Sequence, residues 1–283
     1  GSINRSQGSV VHLGGLIGRS ALDGGAKFKI SNVDVTPNIK DSLTKADFYE
    51  YYSGGLIGEQ TCVSTKNEVT SESFVSISNS QTSGPLVLVK KPDVENISAN
   101  VFMGGFAGSA CLARHADALV DNISSMEIKV AISGLQGHTA GGSEVAAIDS
   151  LMVGGFVGKA VTRPNTIGSY TDGDSVLTVR NALFNGRVSV TDSLNIVRMG
   201  GIFGSFADNA GVLYVAFENV QLDNPSLLAL NAGVDPTFPV EGSAVVGGLC
   251  GYCVMPNKVD HVAIIGDFNV DGDFSQADSL YVG

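Results

Sequence analysis

The sequence predicts an all-β protein, a right-handed parallel β-helix (β-solenoid) of about six coils with three short strands in each coil. Three observations predict this fold: a glycine motif that occurs six times, an asparagine that recurs in step with it, and apolar–polar alternation of period two around both. We assign all 283 residues to one unit of this kind. Its repeats span approximately 11–50, 51–100, 101–150, 151–196, 197–243 and 244–283.

Each glycine motif consists of two glycines, two mostly apolar residues and a third glycine, and successive copies begin 40 to 50 residues apart. The paired glycines are Gly14 and Gly15, Gly54 and Gly55, Gly104 and Gly105, Gly154 and Gly155, Gly200 and Gly201, and Gly247 and Gly248. Glycine allows the backbone to turn or to approach another segment where a Cβ would collide. One repeat cannot bury its apolar face alone, so we expect the repeats to stack.

An asparagine lies in the β-rich stretch that follows each of the first five motifs. These residues are Asn32, Asn79, Asn122, Asn181 and Asn219, and the sixth repeat has Asp260 and His261 instead. A third alternating stretch follows in each repeat. Because paired strands lie about 4.8 Å apart, we expect asparagine to stack on asparagine and to exchange amide hydrogen bonds between coils. Parallel crossovers are strongly biased to the right hand.

Two adjacent apolar residues follow each pair of glycines, although successive residues of a regular strand point to opposite faces. If one residue of each pair enters the core, the other should form an outer apolar stripe. Either the long loops or a partner would cover this stripe, and we favour the loops. The stripe would contain Leu16, Leu56, Phe106, Phe156, Ile202 and Leu249. The aromatic residues Phe48, Tyr49, Tyr51 and Tyr52, just before the second motif, are expected to pack in the core and between strands.

The motif at 154–158, the stretch 180–190 and the glycines at 200–201 together resemble the GLUG repeat. The resemblance covers nearly the whole chain, and it implies a β-helical, non-catalytic region of a large surface or secreted protein. These repeats are longer than the usual GLUG spacing. The repeat itself has no catalytic residues to carry over.

The charge and the apolar pattern of the sequence argue against nucleic-acid binding and against a membrane helix. The formal charge of −11 disfavours nucleic acid as a partner, and no apolar run approaches the roughly 20 residues of a membrane helix.

Residues 278–283 match 149–154, so Gly283 should begin a seventh motif and the chain should be a section of a longer protein. We expect a structural or adhesive element at the cell surface or outside the cell, contacting neighbouring repeats and a protein or glycan ligand.

An acidic stretch near the C-terminus suggests calcium as a ligand. Asp267, Asn269, Asp271, Asp273 and Asp278 fit positions of a calcium-binding loop, and the stretch resembles half of a dockerin, a cohesin-binding module. However, residues 265–270 also align with 185–190 of the repeat. This register favours a strand followed by an acidic turn.

Asp172 and Asp174 suggest an alternative function, a carbohydrate-active β-helix of the polysaccharide lyase or hydrolase type. Such chemistry requires two carboxylates at a fixed separation over a groove. The surrounding composition is typical of a turn. We find no serine-hydrolase or zinc-protease motif and assign no catalytic residues.

The four cysteines leave two alternatives open. Cys62 and Cys111 follow their motifs at similar distances, so a disulfide could join them across neighbouring coils. Free buried thiols are the other alternative. Cys250 and Cys253 are three residues apart and should face opposite sides of a regular strand, so we expect no bond between them without a bend.

Overall fold

The structure is a computed structural model, and every regular element that it describes is a β-strand, which confirms the all-β class. It describes residues 9–23, 27–43, 48–63, 74–90, 98–111, 118–133, 148–161, 176–192, 194–207, 214–223, 228–232, 243–253, 258–265, 268–272 and 279–283. In chain order the strands are β1 (Ser9–Gly14), β2 (Ile17–Asp23), β3 (Lys27–Ser31), β4 (Asp34–Val35), β5 (Ile39–Leu43), β6 (Phe48–Gly54), β7 (Ile57–Val63), β8 (Phe74–Lys90), β9 (Ser98–Gly104), β10 (Ala107–Cys111), β11 (Ala118–Ser133), β12 (Ile148–Gly154), β13 (Val157–Val161), β14 (Val176–Asp192), β15 (Leu194–Gly200), β16 (Phe203–Ala207), β17 (Tyr214–Asp223), β18 (Leu228–Ala232), β19 (Ser243–Gly247), β20 (Cys250–Cys253), β21 (Lys258–Ile265), β22 (Phe268–Gly272) and β23 (Ser279–Val282).

The strands form three parallel sheets in which neighbours are one sequence repeat apart. The first sheet has the order β1-β6-β9-β12-β15-β19-β23, and the second has β2-β7-β10-β13-β16-β20. The third has the order β3-β8-β11-β14-β17-β21; β4 and β5 also pair with β8, and β18 pairs with both β14 and β22. All pairings are parallel, as the repeat predicts.

Equivalent residues of successive repeats are direct neighbours. In the first sheet the first glycines of the six motifs, from Gly14 to Gly247, are consecutive register partners. The sequence alignment of 265–270 with 185–190 is also correct, because Val188 pairs with Leu228 and Leu228 pairs with Phe268. Register therefore follows the repeat although the repeats differ in length.

The glycine motif forms a corner between the first and second sheets. In every repeat the first glycine ends a strand, the second glycine and the next residue form a bend, and the second apolar residue begins the following strand. The bends of neighbouring repeats hydrogen-bond to one another. For example, Leu56 N donates to Phe106 O at 2.9 Å, and Phe106 N donates to Phe156 O at 2.7 Å.

The predicted outer apolar stripe is therefore wrong for four of its six residues, whereas Leu16 is exposed and Leu249 is half-buried. Leu56, Phe106, Phe156 and Ile202 are 0 to 3% exposed and belong to the core. The residues that follow them, such as Ile57 and Phe203, are buried too. Side chains alternate between the two faces only along a continuous strand. The bend ends one strand and the next strand begins after it, so both apolar residues face inward.

The second glycine of the motif has no room for a side chain. A Cβ on Gly55 would collide with the carbonyl oxygen of Gly105, and one on Gly155 with that of Gly201. The third glycine meets another neighbour, since a Cβ on Gly108 would lie 2.5 Å from the backbone nitrogen of Ser53. These contacts are with backbone atoms, which cannot rotate away as the end of a side chain can.

The asparagine positions have left-handed backbone conformations. Asn32, Asn79, Asn181 and Asn219 have φ between 48° and 57°, and asparagine tolerates this region better than most residues. In the sixth repeat His261 has φ 50° and takes this place, while the preceding Asp260 pairs with Glu218. Asn122 is at the equivalent register position, since its neighbours Asp121 and Ile123 pair with Arg180 and Ala182.

The prediction of three short strands in each repeat is only partly correct. In the second, third and fourth repeats the asparagine stretch and the alternating stretch after it form one strand of 16 or 17 residues, namely β8, β11 and β14. In β8 and β14 an asparagine at positive φ, Asn79 or Asn181, lies within the strand without ending it. Tyr49 and Tyr51 are buried in the core as expected, whereas Tyr52 faces outward.

We predict that Gly108→Ala destabilises the fold by about 3 kcal/mol, because the added Cβ meets three backbone atoms within 2.7 Å. The matched control is Gly18→Ala, at the same motif position in the first repeat, where the nearest atom is 3.4 Å away. The control should change the free energy of unfolding by less than about 0.5 kcal/mol. Urea unfolding of both variants measures the difference, and equal effects would contradict the corner geometry.

Candidate functional site

Two columns of side chains flank the glycine corners on the outer side of the sheets. The first-sheet column consists of the residues two positions before each motif, and the second-sheet column consists of the residues directly after each motif. The first contains His12, Tyr52, Phe102, Met152, Arg198 and Val245. The second contains Arg19, Glu59, Ser109, Lys159, Ser205 and Tyr252. We call these residues the outer corner band.

The two columns contact each other, so the band is one continuous face. His12 Nε2 donates to Glu59 Oε2 at 2.7 Å, and Arg198 Nη1 donates to Ser205 Oγ at 3.0 Å. Glu59 and Ser205 are buried, with 8% and 1% of their surface exposed. The bend at each corner creates this arrangement, because it brings the end of one strand close to the start of the next.

Three aromatic rings of consecutive repeats form a stack in the first column. The ring centroids of His12 and Tyr52 are 5.2 Å apart with nearly parallel planes, and those of Tyr52 and Phe102 are 5.0 Å apart. These distances match the strand spacing of about 4.8 Å. Stacking covers the faces of these rings, and Phe102 is also buried, at 5% exposed.

The carboxylate of Glu59, in the second repeat, contacts two side chains of the first repeat. Its Oε2 accepts hydrogen bonds from His12 and from Arg19, whose Nε lies at 3.0 Å. Tyr52 lies beside this group and donates from its hydroxyl to Glu50 Oε2 at 3.5 Å. Burial, followed by the negative charges of Glu50 and Glu59, raises the pKa of the Tyr52 phenol.

Two cations occupy the middle of the band, each against an aromatic ring. Lys159 Nζ lies 4.7 Å from the centre of the Phe102 ring, and the Arg198 guanidinium lies 4.3 Å from that of Tyr252. Such contacts contribute roughly 0.5–2 kcal/mol. Burial lowers the pKa of Lys159, and Glu50 opposes that change. The partly exposed Lys159 and Arg198 and the exposed Tyr252 are therefore the groups of the band that a surface ligand can contact.

Comparison with protein-family models, curated proteins and solved structures found no match. The description of the band therefore depends on its own geometry. Within the described residues, no three His, Cys, Asp or Glu side chains are grouped so that they could hold a metal ion. The same residues contain no helix that could span a membrane.

The predicted calcium residues fall partly outside the described structure. Asp267, Asp273 and Asp278 lie outside the described residues, as do Asp172 and Asp174 of the carboxylate pair. Asn269 and Asp271 are on β22 and pair with Ala229 and Asn231 of β18. A strand at this point agrees with the repeat register that opposed the calcium-loop interpretation.

The cysteines correct one expectation. Cys250 and Cys253 form a disulfide, with Cα atoms 5.8 Å apart. Their register partners Phe203 and Phe206 are both buried, because the third glycine of the motif interrupts the alternation between them. Residues three apart here face the same side, and the expectation that they would not pair was wrong.

Cys111 is also disulfide-bonded. The alternative of a free thiol is therefore wrong for Cys111. The side chain of Cys62 lies outside the described part of the structure, so the pairing of Cys62 with Cys111 stays a prediction.

The predicted asparagine hydrogen bonding is present between the fourth and fifth repeats. Asn219 Nδ2 donates to Asn181 Oδ1 at 2.8 Å. The outer corner band, in contrast, was not predicted. A signal for it exists, because aligning the six motifs puts His12, Tyr52 and Phe102 in one column and Lys159 and Ser205 in another. The glycine and asparagine periods alone do not reveal these positions.

We predict that Glu59→Gln lowers the free energy of unfolding by about 1–3 kcal/mol, because the buried carboxylate accepts bonds from both His12 and Arg19. The matched control is Glu218→Gln, which breaks a more exposed ion pair with Lys258. Exposed ion pairs contribute only about 0–1 kcal/mol. Urea unfolding at pH 7 compares the two variants, and a smaller effect at Glu59 than at Glu218 would contradict this assignment.

We also predict that Tyr52→Phe makes stability less sensitive to alkaline pH. The folded-state pKa of Tyr52 is raised above the unfolded value of 10.0, so its stabilisation is present below pH 10 and is lost as pH rises above it. Lys159 has a lowered pKa and acts in the opposite direction, but it is common to both proteins. Between pH 9 and pH 11 the free energy of unfolding should fall further for the wild type than for Tyr52→Phe. Equal falls in the two proteins would contradict the burial of the phenol.

Proposed function

We propose that this chain is a section of a right-handed parallel β-helix of about six coils. We further propose that it serves as a non-catalytic structural or adhesive region of a larger extracellular or cell-surface protein. The observation that carries the proposal is the register. All six glycine corners are hydrogen-bond neighbours in parallel sheets, residue upon residue. Such stacking produces an extended, regular scaffold in which each repeat contacts only its neighbours.

The disulfides support a location outside the cytosol. Cys250 and Cys253 are bonded, and Cys111 is bonded as well. Disulfides persist in secreted and surface proteins and are rare in the reducing cytosol. The resemblance to GLUG repeats points to the same compartment.

The outer corner band supports an adhesive role. Two of its cations, Lys159 and Arg198, lie against aromatic rings, whereas Arg19 is paired with Glu59. A protein or glycan ligand that binds along the rod would contact several repeats at once. Several weak contacts made by one ligand at the same time raise its overall affinity for the chain.

The proposal predicts binding without turnover. The 283-residue chain, immobilised on a surface, should retain glycans or matrix proteins from an array, and Lys159→Ala combined with Arg198→Ala should reduce that retention at least fivefold. A double substitution of Lys29 and Lys40, two exposed lysines away from the band, is the matched control and should have little effect.

Two other outcomes would favour the alternative functions. Release of reducing ends from a polysaccharide panel, lost in Asp172→Asn, would replace the adhesive role by the carbohydrate-active alternative. A melting temperature that rises with excess calcium and falls with EDTA would instead favour the calcium-stabilised module.

A further inference from the structure

The core between the sheets contains a narrow apolar cavity. Residues of the second to the fifth repeat line it, from Leu56 and Gln60 to Ile202 and Phe203. Because neighbouring strands lie about 4.8 Å apart, these four repeats extend over about 14 Å. About 30 Å³ of the cavity is open to the centre of a water molecule, whereas a single water needs roughly 10–15 Å³. The cavity is therefore long and slender, with room for more than one water.

Small side chains in the middle repeats leave this space. In one inward column of the second sheet, Gln60 is followed by Ala110 and then by Ala160. Phe206 of the fifth repeat comes next in the same column. The neighbouring inward column also has an alanine in the third repeat, Ala107. All of these residues are buried, and the larger side chains of the second and fifth repeats narrow the two ends of the cavity.

Gln60 is the one polar residue among the described residues that line the cavity. Its side chain belongs to a residue that is 2% exposed, and its Nε2 is buried without a hydrogen-bond acceptor from the protein. A buried amide without a partner is destabilising. Water would satisfy this amide poorly, because a buried water needs two to four polar partners and an apolar cavity stays dry. The amide is therefore free to donate to a ligand that brings its own acceptor.

We propose that this cavity binds a small linear ketone or ester. The oxygen of the ligand accepts a hydrogen bond from Gln60 Nε2, and its alkyl chain lies along the apolar walls of the third and fourth repeats. Dry apolar cavities in protein interiors bind small apolar molecules. The inference concerns the interior of the stack and does not depend on the adhesive role of the outer corner band.

The polarity of the walls selects this class of ligand. A carboxylate would be buried without a cation among the described residues that line the cavity, and burial of an unpaired charge is costly. An alcohol would bury a hydroxyl donor in addition to the amide of Gln60. A ketone or ester carries acceptors only, so it satisfies the amide and adds no further donor.

NMR of the 283-residue chain with labelled alanine methyl groups tests the proposal, with methyl butyl ketone as the probe. The signals of Ala107 and Ala110, which line the cavity, should shift and saturate as the ketone is added. The matched probe is methyl tert-butyl ketone, a branched isomer with the same atoms and a wider body. Its affinity should be at least fivefold lower, because the cavity is slender.

Gln60→Leu removes the donor and keeps a side chain of similar size. It should weaken binding of methyl butyl ketone at least fivefold. The melting temperature of this variant should be equal to or higher than that of the wild type, because a buried amide without a partner is lost. This measurement shows that the variant is folded, so a change in affinity reports on the hydrogen bond.

Filling the cavity provides an independent test. Ala110→Val should weaken binding of the linear ketone at least tenfold without lowering the melting temperature, because the added carbons enter empty space. Ala160→Val is the matched control, since Ala160 is the next residue in the same column and is 0% exposed but does not line the cavity. This control should lower the melting temperature, because its surroundings are already packed.

Four results would overturn the proposal. These are the absence of saturable shifts at the alanine methyl groups, equal affinities of the two isomers, unchanged binding in Gln60→Leu, and equal effects of the two valine substitutions on melting temperature. Nuclear Overhauser contacts between the Gln60 amide and a long-lived water would also count against it, since water would then satisfy the donor. None of these results bears on retention of glycans by Lys159 and Arg198, so the adhesive role is judged separately.

Discussion

The close approach of backbone to backbone at the glycine corners is the constraint on which the rest of this structure depends. Gly55 and Gly155 lie against the carbonyl oxygens of Gly105 and Gly201, at distances that leave no space for a Cβ. The bend can then direct two successive apolar residues inward and still hydrogen-bond to the next repeat. A side chain at either glycine would separate neighbouring repeats and expose the core beneath the corner.

Register at the corners determines the position of the other columns. Because each motif is aligned with the next, the core residues before it, such as Met103 and Val153, also align, and so do the outward residues between them. The outer corner band follows from this alignment, as does the stack of His12, Tyr52 and Phe102. One local steric requirement thus organises both the core and the surface that we propose as adhesive.

Much of the fold could be predicted from the sequence, because the glycine and asparagine periods report directly on backbone requirements. The parallel pairing and the alignment of 265–270 with 185–190 were found in this way. The inward direction of Leu56 and the bond between Cys250 and Cys253 could not be. Both depend on where alternation restarts within the motif, and residue types alone do not specify that. The contacts of the band depend on side-chain reach across the corner, which spacing does not reveal either.

The unequal spacing of the motifs has a consequence for how such a chain can change. Corners 40 to 50 residues apart stack in the same register, so extra residues are accommodated between strands without disturbing neighbouring levels. Since every strand pairing among the described residues joins adjacent repeats, the stabilisation of a stacked architecture grows by nearly equal increments as units are added. Gene duplication or loss of a whole unit would therefore alter the reach of the molecule while preserving every local junction.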